Sequence, residues 1–103
     1  MEIRLMPTAI EDIEFWKSTG NVKIQKRISA LLAAISLAPF EGIGKPERLK
    51  YELNGCWSRR IDLEHRMVYI CIRETAFIIA CRHHYNSNEI TKYLTMLLKQ
   101  QNV

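Results

Sequence analysis

Two apolar runs, Met67-Val68-Tyr69-Ile70 and Phe77-Ile78-Ile79-Ala80, stand close together in the second half of the chain. Neither alternates apolar with polar residues, so a strand formed by either run has to bury both of its faces and belongs at the centre of a sheet. The surrounding stretches Trp57 to Asp62, His65 to Arg73 and Ala76 to Tyr85 are β-branched and aromatic, and short gaps of two residues separate them. Connections that short predict hairpins, and hence an antiparallel meander.

The first half reads differently. Ile3 and Leu5 alternate weakly before Pro7, which predicts a short edge strand. Thr8 with Glu11 has the form of a capping box, so a helix is expected from there to Gly20, with Ile10, Ile13 and Trp16 on one face. A second helix is expected from about Val22. Ile24, Ile28, Leu31, Leu32 and Ile35 fall at helical spacing, Lys23, Lys26 and Arg27 stay outside, and Pro39 closes it. Two such helices joined by so short a link form an antiparallel hairpin. The order β-α-α-β-β-β is an α+β domain, with the hairpin lying on one sheet face. After residue 85, Ile90, Tyr93, Leu94, Leu97 and Leu98 repeat at helical spacing, with Asn86 and Glu89 as the cap. This C-terminal amphipathic helix is expected to cover an exposed part of the same sheet; its other use would be a homodimer or partner surface. Residues 1–85 form the domain on this reading, and 86–103 a helical extension.

At 103 residues, 48% hydrophobic and 25% charged, the chain has the size and composition of one ordinary globular domain. Its net charge of +4 suits nucleic acid or an acidic partner. Cys56, Cys71 and Cys81 have no metal-site spacing, and the latter two sit in apolar runs, so they read as core residues of a cytoplasmic protein without disulfides. No run approaches the ~20 apolar residues of a membrane span. His65, His83, His84 and Cys81 lack paired ligand spacing, so neither a metal nor a cofactor is expected.

The chemistry concentrates between Phe40 and Tyr85, which hold Glu47, Lys50, Arg60, His65, Arg66, His84 and Tyr85. A carboxylate, fixed cations and an imidazole can take a proton from a hydroxyl, stabilise a phosphorane and protonate a leaving oxygen. Pro46 stiffens the exit of the one long loop into Glu47. Strand alternation allows only one of Arg59 and Arg60, and one of His83 and His84, to face a given side. With a turn centred near Glu74-Thr75, Arg66 is expected opposite His84, on one face and within reach of one phosphate.

Phe40-Glu41-Gly42-Ile43-Gly44-Lys45-Pro46-Glu47-Arg48-Leu49-Lys50 resembles the F-E-G-x-G-x-P-E-x-L-K loop of the YoeB-type toxins, a branch of the RelE/ParE superfamily. Trp57-Ser58-Arg59-Arg60-Ile61, Glu64-His65-Arg66-Met67-Val68-Tyr69 and Ala80-Cys81-Arg82-His83-His84-Tyr85 are similar to that branch's W-S-R-R-I, E-H-R-L-V-Y and A-C-R-x-H-Y blocks, in the same order. The resemblance implies a ribosome-dependent endoribonuclease that cuts mRNA without a metal and is neutralised by a YefM-like antitoxin. It implies Glu47 as base, Arg66 as phosphate stabiliser and His84 as acid with Tyr85 beside it, giving a 2′,3′-cyclic phosphate. Lys50, Arg60 and His65 match positions that hold RNA or shape the site, and Lys45 and Arg59 complete the candidate RNA-binding set. A ParE-like inhibitor of a protein target and a plain basic RNA-binding module are the alternatives. Three positions depart from the pattern: Cys56 and His83 stand where aromatic residues are usual, and Arg48 puts a cation beside the base.

Overall fold

In the computed structural model, which describes residues 1–83 and 87–101, the two apolar runs are β4 (Arg66–Ile72) and β5 (Thr75–Ala80). Their side chains alternate between two separate cores. Met67, Tyr69, Ala76 and Ile78 point into one, and Val68, Ile70, Phe77 and Ile79 into the other. A helix hairpin, α1 (Pro7–Thr19) and α2 (Val22–Leu37), covers the first face through Ala9, Trp16, Ile24, Ile28, Leu31 and Ile35. The terminal helix α3 (Ser87–Gln101) covers the second through Ile90, Leu94 and Leu97. A strand pair buried on both faces therefore obtains its two covers from opposite ends of the chain. This α+β architecture is the one expected, including a C-terminal helix laid on the sheet, and the structure adds that it takes the face opposite the hairpin; the Asn86 cap lies outside the described residues.

The sheet has one strand more than anticipated. Its order is β1-β5-β4-β3-β2, with β1 (Glu2–Leu5) at one edge, parallel to β5. At the other edge β2 (Glu47–Arg48) pairs antiparallel with β3 (Cys56–Arg60), and a 3-10 turn at Tyr51–Leu53 lies between them. Two residues carry too little pattern to be read as a strand; pairing with Trp57 and Ser58 makes them one. Among the described residues no helix is long and apolar enough to cross a membrane.

Three local expectations change. Helix α1 starts at Pro7, whose ring presets the helical φ, and no side chain caps it. The Thr8 hydroxyl instead donates to Glu89 Oε1 (2.7 Å) and lies 2.9 Å from Tyr93 Oη, tying α1 to α3. Ile10 is exposed, and Ala9 takes the buried position next to it. The link from β3 to β4 is longer than two residues because Arg60 pairs with Arg66, leaving 61–65 as a loop. The Asp62 carboxylate organises that loop by accepting the Glu64 and His65 N–H groups (2.9 and 2.7 Å).

Candidate active site

Strand register decides which charged side chains share a face. Glu47 lies opposite Ser58, and Ser58 opposite Val68. Arg60 and Arg66 are directly opposite one another, each two residues along from that row. Residues opposite one another, or two apart in one strand, project to the same side of a sheet. Glu47, Ser58, Arg60 and Arg66 therefore share the face turned away from the helix hairpin. The apolar part of this face, with Cys56, Val68 and Ile70, lies beneath α3; Glu47 and Arg60 are exposed and Arg66 is half-buried. Burial of the Cys56 thiol pushes its pKa up to about 12. Cys56, which stands where an aromatic residue is usual, is thus a core residue under α3.

Each of the charged groups has a local mount. Arg66 Nη1 donates to the Asp62 carbonyl (3.1 Å), which braces its guanidinium against the β3–β4 loop. Glu47 and Lys50 line a cleft of about 360 Å³ with Leu49, Tyr51, Leu53 and Ser87, so the first residue of α3 forms part of its wall. Lys45 is exposed on the loop before Glu47, with a left-handed φ of 49°. Arg60 extends from the shared face to a groove of about 750 Å³ that also contains Lys23, Lys26 and Arg27.

Two residues of the candidate RNA-binding set are not on this surface. Arg59 is fully buried on the hairpin side, because alternation turns it away from Arg60. His65 is buried too, edge-on to the Trp16 ring at 4.7 Å. Its Nδ1 accepts the His83 N–H (2.6 Å), so the imidazole holds the backbone of residue 83. The His83 carbonyl in turn accepts the Arg66 N–H (3.0 Å). Residue 83 is thereby bound from both sides next to Arg66.

The register behind this is not the one expected. The turn falls at Arg73-Glu74, Ile72 pairs with Thr75, and a bulge opposite Val68 and Tyr69 adds one residue to β5. His83 then takes a left-handed φ of 59°. A bulge of this kind leaves no mark on an apolar run, so the turn centre alone misplaces the strand's end. His84 and Tyr85 themselves lie outside the described residues.

Two further anchors went unread in the sequence. Asp12 Oδ2 accepts the Cys81 N–H (2.8 Å), and Trp16 Nε1 donates to the Cys81 carbonyl (3.0 Å). Both sides of the peptide chain at Cys81 are held by α1 side chains four residues apart, a spacing that puts them on one helix face. Burial raises the Asp12 carboxyl pKa, against the opposing pull of that N–H and of Arg82. Among the described residues no three His, Cys, Asp or Glu side chains gather as a metal ion would need.

Residues 5–85 match the model of the YoeB-like toxin of bacterial type II toxin-antitoxin systems. The chain belongs to this family. The Toxin YoeB of Synechocystis is 51% identical over 70 residues, covering 68% of this chain and 81% of that one. The YoeB/ParE toxin from Agrobacterium tumefaciens superposes with a TM-score of 0.77 at 38% identity, covering 82% of this chain and 100% of that one. The Staphylococcus aureus toxin has been solved as a YoeB-YefM complex (TM-score 0.73, 42% identity, 82% and 98% covered) and as a YoeB dimer (0.74, 41%, 82% and 98%). The family match stops just before α3, which the cover of the second sheet face depends on.

Proposed function

We propose that this toxin is a metal-independent endoribonuclease that cuts mRNA on the ribosome and so stops translation in the cytoplasm. The observation that carries the reading is the register that sets Glu47 and Arg66 on one sheet face, free of the helix hairpin. Glu47 is exposed and shares its cleft with the cations Arg48 and Lys50 and with Glu52. It takes the proton of a ribose 2′-hydroxyl, whose oxygen attacks the adjacent phosphorus. Arg66, braced by Asp62, meets the charge that grows on the phosphoryl oxygens, with Arg60 directly opposite as a second cation. His84 protonates the departing 5′-oxygen, assisted by Tyr85. Their neighbour His83 is bonded through its backbone to Arg66 and His65, which favours that assignment. The products are a 2′,3′-cyclic phosphate and a 5′-hydroxyl. Lys45, Lys50 and Arg60 are the side chains available to hold the RNA backbone.

The partner proposed for neutralisation is a YefM-like antitoxin with an acidic segment, for which the +4 charge and the S. aureus complex speak. Self-association is proposed from the S. aureus dimer.

Cleavage of mRNA on programmed ribosomes tests the reading. Wild type is expected to cut, whereas Glu47→Ala, Arg66→Gln and His84→Gln lose most activity and stay folded. Undiminished cleavage by these variants removes their roles. Intact mRNA with blocked DNA supercoiling would instead mark a ParE-like inhibitor, and salt-sensitive RNA binding without scission a plain binding module.

A further inference from the structure

Arg59 is a buried cation that forms no ion pair with any acid among the described residues. Burying an arginine costs free energy unless its donors are satisfied. Here the loop leading to Glu47 satisfies them. Nη2 donates to the carbonyls of Ala38 (2.6 Å) and Glu41 (3.0 Å), and Nη1 to that of Ile43 (3.0 Å). Nε donates to Tyr69 Oη (3.0 Å), and the Tyr69 hydroxyl donates onward to the Pro39 carbonyl (2.7 Å). One planar fork and one phenol thus bind four carbonyls of a six-residue stretch, which a lysine's single ammonium could not match. These are hydrogen bonds from an ionised donor, stronger than neutral ones, and the guanidinium that makes them is itself buried.

The restraint continues toward Glu47 through Gly44 and Pro46. Gly44 lies so close to the Arg59 stem that a Cβ placed there would sit 3.0 Å from Arg59 Cβ and 2.8 Å from Leu31 Cδ2. The Gly44 carbonyl accepts the Arg60 N–H (2.7 Å), Pro46 has a fixed φ, and Glu47 then enters the sheet opposite Ser58. The same two neighbouring residues of β3 hold the loop from both sides: Arg59 grips it from the core, and Arg60 receives its end.

We propose that Arg59 is a positioning residue for the proposed base. Its guanidinium knots residues 38–44 so that the Glu47 carboxylate is presented on the face it shares with Arg66. This rests on the nuclease reading above. Misplacing a reacting group by an ångström through a change remote from the chemistry costs about a hundredfold in rate.

The test compares Arg59→Met, Arg59→Lys and Tyr69→Phe with wild type in two measurements. One is single-turnover cleavage of mRNA on programmed ribosomes beside ribosome affinity; the other is amide exchange of residues 40–47. For Arg59→Met the cleavage rate is expected to fall about a hundredfold while affinity stays within about threefold, since the loss falls on the chemical step. Arg59→Lys, which keeps the charge and one or two of the bonds, is expected to recover about tenfold of that loss. Exchange in 40–47 should accelerate with β4 and β5 unchanged. Wild-type cleavage despite a freely exchanging loop overturns the proposal, and so does a loop as protected as in wild type. An equal loss in affinity and rate also overturns it, because that is the mark of general damage. Should Arg59→Met fail to fold, Tyr69→Phe carries both measurements, since it removes two of the bonds and leaves the fork. If wild type itself does not cleave, the nuclease reading fails separately, and the proposal falls with it whatever the exchange shows.

Discussion

Replacing Leu94 by alanine asks whether α3 is part of the fold or an appendage to a domain that ends at residue 85. Leu94 is buried, packed with Ile90 and Leu97 against Val68, Ile70, Phe77 and Ile79 from the sheet and Leu49 and Leu53 from the segment beside Glu47. Leu→Ala changes in cores cost about 2–5 kcal/mol, depending on how far the site collapses. A helix at the surface of the molecule can settle toward the sheet, so the lower part of that range applies, about 2.5 kcal/mol. For a domain of this size each kcal/mol moves Tm by about 4–8 °C, so the expected fall is about 10–20 °C. Leu98, one turn further along α3 and half-exposed, is the control, and Leu98→Ala should stay within about 0.5 kcal/mol of wild type. Tryptophan fluorescence is the assay, because Trp16 and Trp57 belong to the core on the opposite sheet face. If α3 is integral, Leu94→Ala moves the tryptophan transition and the helical signal together. A tryptophan transition left at its wild-type temperature while helicity falls would refute the argument.

Gly44→Ala should be far more costly than Gly20→Ala. Both positions have positive φ, but a Cβ at Gly20 meets nothing within 4 Å, whereas at Gly44 it meets Leu31 and Arg59. Thermal denaturation is expected to show about 1 kcal/mol for Gly20→Ala and about 3 kcal/mol for Gly44→Ala; equal losses would contradict the close approach. Asp62→Ala should destabilise in a pH-dependent way. Desolvation raises the Asp62 carboxyl, but the His65 and Glu64 N–H groups, with His65 and Arg66 nearby, outweigh it and hold the pKa below the usual value. A lowered folded pKa means stabilisation that is complete above the unfolded value of about 3.9 and lost as pH falls through the folded value. Denaturant melts should therefore show a gap between wild type and Asp62→Ala that is full at neutral pH and closes in acid.

Much of the fold could be read from short-range pattern. The unalternating runs at Met67–Ile70 and Phe77–Ala80 demanded two covers, and the periodicity of Val22–Leu37 and of Ile90–Leu98 supplied helices with a matching apolar face. The loop around Pro46 and Glu47 was legible as a motif. The position of the site's last strand failed because it depended on counting residues across a turn. One bulge in β5 and a left-handed His83 move the end of the strand relative to Arg66, and neither has a sequence signature when every residue involved is apolar or tolerant.

The amino-acid order by itself determined the family, the central strands and the two helical layers, because periodicity and local motifs are properties of neighbouring residues. Only the folded chain decided that Arg59 lies in the core gripping the loop carbonyls, while Arg60 beside it stays in solvent. It decided likewise that His65 serves the backbone of residue 83 and that Asp12 and Trp16 hold the exit of β5. Those assignments follow from which strand pairs with which and on which face, and two identical adjacent side chains cannot declare that beforehand.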